Sequence, residues 1–138
     1  MSQKVIFLSL LKKNCIIVPI TSNVEEEQNL RIDESNTEVV IKFKNDGKLS
    51  LYLKEPKKTE DNHLIDELRN KNNAGLILFS SGSTGKPKAM LQNLDNLCNV
   101  HNKKRPKSIV MMIFLMFDHI GGINTLLGLL MIGGVMVI

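Results

Sequence analysis

The 138 residues predict an α/β fold: a largely parallel sheet with flanking helices, plus a β-hairpin. Three observations carry this. Short continuous apolar runs stand at 15–20, 76–79, 109–117 and 135–138, and runs of that length bounded by turn residues read as buried strands. Segments with helical patterning alternate with them. Two alternating runs, at 37–43 and 49–53, flank Asn45-Asp46-Gly47, which signals a hairpin with glycine where φ must be positive.

In chain order, residues 5–11 are apolar and followed by Lys12-Lys13-Asn14, as at a helix C-terminus with cations and an Asn stop. The 15–20 run, Cys15-Ile16-Ile17-Val18-Pro19-Ile20, is continuous, like a parallel strand covered on both faces. Thr21, Ser22 and Asn23 are N-cap types, and Glu25, Glu26 and Glu27 suit the positive end of a helix better than a metal site. In the hairpin, Val39, Ile41 and Phe43 would join Leu49, Leu51 and Leu53 on a buried face. Residues 53–62 read as a polar surface loop. Residues 63–71 read as a short helix with Leu64, Ile65 and Leu68 on one side and an exposed, structural His63.

Leu76-Ile77-Leu78-Phe79 leads into Ser80-Ser81-Gly82-Ser83-Thr84-Gly85-Lys86-Pro87-Lys88. Glycines let a backbone bend sharply and approach a ligand closely. Successive N–H groups in such a bend form a concavity for anionic oxygens. Hydroxyls add donors, and lysine adds compact positive charge. The stretch is therefore built to hold phosphate. It is not a Walker loop, because Ser80 stands where the first Gly is required and Pro87 follows Lys86. It is not a dinucleotide fingerprint either, since only Gly82 and Gly85 are present.

Beyond the loop, Met90, Leu91, Leu94 and Leu97 predict a helix over 89–101. Residues 109–117 then give a strand, 118–122 a turn, 123–132 a helix, Gly133-Gly134 its stop, and 135–138 a last strand. The apolar 120–138 stretch is long enough for a membrane helix. Its glycines, Asn124 and β-rich tail speak against one.

Hydrophobic content is 43%, aromatics are 4% and Trp is absent, so the core rests on Ile, Leu, Val and Met. The net charge of +4 and pI near 9.1 come from dispersed lysines. The tightest cluster, Lys103-Lys104-Arg105-Pro106-Lys107, reads as a solvated connection, and no nucleic-acid partner is expected. Cys15 and Cys98 show no metal or disulfide spacing and no signal peptide precedes them, which fits buried thiols in a reducing, cytoplasmic setting.

The sequence Ser-Ser-Gly-Ser-Thr-Gly-Lys-Pro-Lys at 80–88 closely resembles the phosphate loop of the AMP-forming adenylating enzymes. That superfamily includes acyl-CoA synthetases, peptide-synthetase adenylation domains and luciferases. The helix–strand–Val18-Pro19-Ile20 order resembles a family segment upstream of the loop. Downstream, Asn96 and Leu97 match a Gly-Val-x-x-x-His-x-Asn-Leu pattern, in which Ala89, Met90 and Leu94 replace the family residues. His119 and Gly122 match the strand-end and glycine positions of a later family segment.

The resemblance implies a ligase that activates a carboxylic acid as an acyl-adenylate with ATP and Mg2+. A thiol, from CoA or a carrier's phosphopantetheine, would then accept the acyl group. It implies phosphate contacts from Ser80, Ser81, Gly82, Ser83, Thr84, Gly85, Lys86, Pro87 and Lys88, with Lys88 and His119 in catalytic roles. The family's Tyr-Gly-x-Thr-Glu stretch, ribose Asp and lid Lys are not found. Residues 1–138 are therefore expected to be an incomplete N-terminal part of an AMP-binding domain without the C-terminal lid, weak or inactive alone, with most Mg2+ ligands elsewhere. The remaining part of the enzyme or a carrier protein would be its partner. The alternative is a non-catalytic nucleotide- or phosphate-binding module.

Overall fold

The computed structural model describes residues 3–44, 46–55, 62–80, 87–102, 104–112 and 116–137. Helix α1 (Gln3–Lys12) leads to β1 (Ile16–Ile17), then α2 (Glu25–Glu34), β2 (Val39–Phe43) and β3 (Leu49–Leu53). These are followed by α3 (His63–Asn70), β4 (Gly75–Ser80), β5 (Lys88–Asn93), α4 (Leu94–Asn99), β6 (Val110–Met112), α5 (Ile120–Met131) and β7 (Val135–Val137).

The centre is β4, buried from Gly75 through Phe79. It lies between β1 and β5 in a three-stranded sheet. The β1 ladder is parallel, pairing Ile16 with Gly75 and Ile17 with Leu76. The β5 ladder is antiparallel, from Gly75 opposite Asn93 to Ser80 opposite Lys88. Parallel β6 and β7 flank α5 in a βαβ unit. The α/β class holds, but the expected largely parallel sheet is corrected to small, mixed sheets.

The predicted helix over 89–101 is the clearest correction. Residues 88–93 form a strand, and only Leu94–Asn99 is helical. With β1 on one side, β4 has a second edge whose buried N–H and C=O groups require partners, and β5 supplies them along the whole strand. Asn93 then starts the helix, its side-chain oxygen accepting from the Asn96 N–H at 3.0 Å.

Two clusters make the core. Ile17, Ala74, Leu76, Leu78, Leu94, Ile123 and Leu127 gather with Phe7, Leu10, Leu11 and Phe117 from flanking segments. Leu126 and Leu129 pack with Ile109, Met111 and Met136 under β6–β7. On the other face of β4, Gly75 admits close neighbours: a Cβ there would lie 3.0 Å from Ile16 Cγ1 and 3.1 Å from Leu68 Cδ1. Cys15 and Cys98 are free, half-buried thiols beside the first cluster. Burial, with Asp95 as the lesser cause, raises the Cys98 thiol pKa.

Other local readings hold or shift by small steps. Asn14 ends α1 and Asn72 follows α3, both at positive φ. Asn62 caps α3, accepting from the Leu64 N–H at 3.2 Å. Helix α2 starts later than Thr21–Asn23: Val24 is its N-cap residue, and the Ser22 hydroxyl accepts from the Val24 N–H. Gly121 and Gly122 lie inside α5, not in a preceding turn. Among the described residues, no helix is long and apolar enough to cross a membrane.

The hairpin register pairs Val39 with Leu53, Ile41 with Leu51 and Phe43 with Leu49, and Gly47 takes φ +78°. Those residues share one face, as expected, but that face is not the buried one. Leu51 and Leu53 are 64% and 79% exposed, while Val40 on the opposite face is buried. Alternation fixes which side chains share a face, whereas packing decides which face meets the rest of the chain.

Candidate functional site

The predicted phosphate stretch runs from the last residue of β4 to the first of β5. Its two stems are placed: half-buried Ser80 ends β4, and exposed Lys88 begins β5 directly opposite. Half-buried Pro87 precedes Lys88. Ser81, Gly82, Ser83, Thr84, Gly85 and Lys86 lie outside the described residues. The strand feeding the stretch is as buried as expected, so Ser80 emerges from a rigid support.

His119 occupies the N-cap position of α5 with extended backbone (φ −116°, ψ 141°) and makes no capping bond. Its side chain is two-thirds exposed, and Nε2 lies 3.7 Å from Asp118 Oδ1. Sequence reasoning missed Asp118, whose side chain is only 10% exposed. Its Oδ2 accepts from the Thr21 hydroxyl at 2.5 Å and from Arg31 Nη1 at 3.3 Å. Arg31 Nη2 also donates to Glu27 Oε1 at 2.5 Å, one helical turn away. The Arg31 guanidinium carbon stands 5.8 Å from the centre of the Phe79 ring, within cation–π range. The acidic residue beside His119 was visible in the chain. Its partners were not, because Thr21 and Arg31 lie 97 and 87 positions away.

Arg31 Nε and Asp118 Oδ1 are buried without a hydrogen-bond partner among the described residues. Elsewhere, a surface cleft of about 230 Å³ is lined by Leu64, Glu67, Leu68, Lys71, Leu91, Asn93 and Asn96. It lies at the Asn93 end of β5, opposite the Lys88 end. Beside it, the Lys71 ammonium donates to Glu67 at 2.6 Å and holds that carboxyl below its usual pKa. His63 starts α3 and is exposed. Among the described residues, no three His, Cys, Asp or Glu side chains gather to hold a metal ion, so no residue is assigned to Mg2+.

The buried strand β4 thus leads into the Ser/Thr/Gly/Lys stretch, and Arg31 ties the residue before His119 to the end of that strand. Residues 4–138 match the family model described as AMP-binding enzyme. The chain belongs to this family, and with it to the AMP-forming adenylating superfamily. Neither the curated proteins nor the solved structures give a match.

Proposed function

We propose that the chain grips the polyphosphate of ATP in an enzyme that activates a carboxylic acid as its acyl-adenylate and then passes the acyl group to a thiol such as that of CoA. The observation carrying this is the family match across the 80–88 stretch, together with Ser80 and Lys88 brought opposite each other at the end of a buried strand.

In the first step a carboxylate oxygen attacks the α-phosphorus. A P–O bond forms, the bond to the bridging oxygen of the β-phosphate breaks, and pyrophosphate leaves with the electron pair. Negative charge grows on the leaving oxygens, so donors aimed there lower the barrier, and holding the reactants in line removes entropy from it. The Gly82–Gly85 amides and the Ser81, Ser83 and Thr84 hydroxyls supply those donors. Lys88 adds positive charge, with Lys86 a lesser contributor, and His119 lines the acyl or α-phosphate side. Mg2+ enters with ATP, and no step is assigned to it or to the thiol carrier.

Calorimetric titration of the chain with ATP tests the grip. Binding is expected in the wild type, weakened about tenfold or more by combined Thr84→Ala and Lys88→Ala, a loss of about 1.4 kcal/mol. Equal affinity in the variant, or none in the wild type, overturns it. ATP–pyrophosphate exchange that requires an added carboxylic acid separates a ligase from a non-catalytic nucleotide-binding module.

A further inference from the structure

Two segments carry the proposed site residues, and one side chain touches both. Arg31, on α2, pairs with Asp118 at 3.3 Å, immediately before His119. It also covers the Phe79 ring, immediately before Ser80, at 5.8 Å. Its second Nη is held by Glu27, so the guanidinium is oriented from its own helix. The Arg31 side chain is 15% exposed, which leaves little room to swing away. Thr21 holds the same Asp118 oxygen from the segment ahead of α2.

We infer that Arg31 is a positioning residue. It sets the separation between the stem of the 80–88 stretch and the His119 turn, with Asp118, Thr21 and Glu27 as its fixing partners. The reason is geometric. A planar guanidinium offers several donors in a fixed fork and can also lie over an aromatic ring, and here its two Nη groups hold Asp118 and Glu27 while its carbon stands over the Phe79 ring. A lysine keeps the charge but cannot keep all three contacts. Among the described residues no hydrogen bond or ion pair links Ser80 directly to His119, and Arg31 joins the residues next to each of them. The purpose of the tie rests on the nucleotide reading above, but the tie itself does not.

The test uses the full chain and two readouts. The first needs no nucleotide: the His119 ring Cε1–H resonance, assigned by comparison with His119→Gln. Phe79→Leu and Arg31→Met are each expected to shift it, and Phe79→Leu is expected to add nothing in the Arg31→Met background. Independent, additive shifts overturn the inference. The second is the dissociation constant for ATP. It is expected to rise about tenfold in Arg31→Met, as misplacement of site groups does, and by a similar factor in Arg31→Lys. It should stay unchanged in Ile32→Val, a buried neighbour on the same helix chosen as the stability control. Equal weakening in Ile32→Val, or full affinity in Arg31→Lys, overturns it. A wild type that fails to bind ATP sinks the functional reading, and the resonance readout then decides the positioning.

Discussion

Removing either end of the Arg31–Asp118 pair should cost very different amounts. The two side chains are 15% and 10% exposed, so neither is rescued by water. Among the described residues, Arg31→Met leaves the buried Asp118 carboxylate the Thr21 hydroxyl at 2.5 Å and, at 3.7 Å, the mostly exposed His119 ring, but no fixed cation. An uncompensated buried charge of this kind costs about 3 kcal/mol or more. Asp118→Asn is milder, because Arg31 keeps Glu27 at 2.5 Å and that carboxylate is 40% exposed. The loss there is about 1–2 kcal/mol, the range for a charged hydrogen bond exchanged for a neutral one. With a urea slope of about 2 kcal/mol/M, the midpoints should fall by about 1.5 M and by about 0.5–1 M. The double substitution Arg31→Met with Asp118→Leu should recover most of the loss, because it removes both charges from the interior. Equilibrium urea unfolding followed by circular dichroism measures all three. An Asp118→Asn variant as unstable as Arg31→Met, or an Arg31→Met loss below about 1 kcal/mol, refutes the reasoning.

Three further outcomes are expected. Gly128→Ala places a Cβ 2.9 Å from His101 Cε1, against a ring that is 4% exposed and held at Nε2 by Asn124 Oδ1 at 2.9 Å. Overpacking should outweigh the helix-propensity gain of about 1 kcal/mol and leave a net loss of about 1 kcal/mol; in a His101→Ala background, thermal melting should show the same change as neutral or stabilising. Because the folded-state pKa of Cys98 is raised, the unfolded chain loses that proton first as pH climbs past about 8.5. The native state then holds more protons, so stability falls with rising pH, and urea midpoints between pH 7.5 and 10 should lose that part of the slope in Cys98→Ala. Leu51→Lys and Leu53→Lys, on the exposed hairpin face, should change stability by no more than about 0.5 kcal/mol each, read from the same unfolding curves.

What the sequence determined by itself was local. Chemical type, period and turn residues are written in neighbours, so β4 was legible as a buried strand, Gly47 as a positive-φ turn and α5 as a helix stopped by Gly133. Tertiary structure decided what depends on distant partners. The free edge of β4 drew residues 88–93 into a strand against their helical spacing. Packing chose Val40 rather than Leu51 as the covered side of the hairpin. The Thr21–Asp118–Arg31 tie joins residues about ninety positions apart, and no pattern along the chain encodes such a meeting, because it exists only once β4, α2 and the start of α5 have packed together.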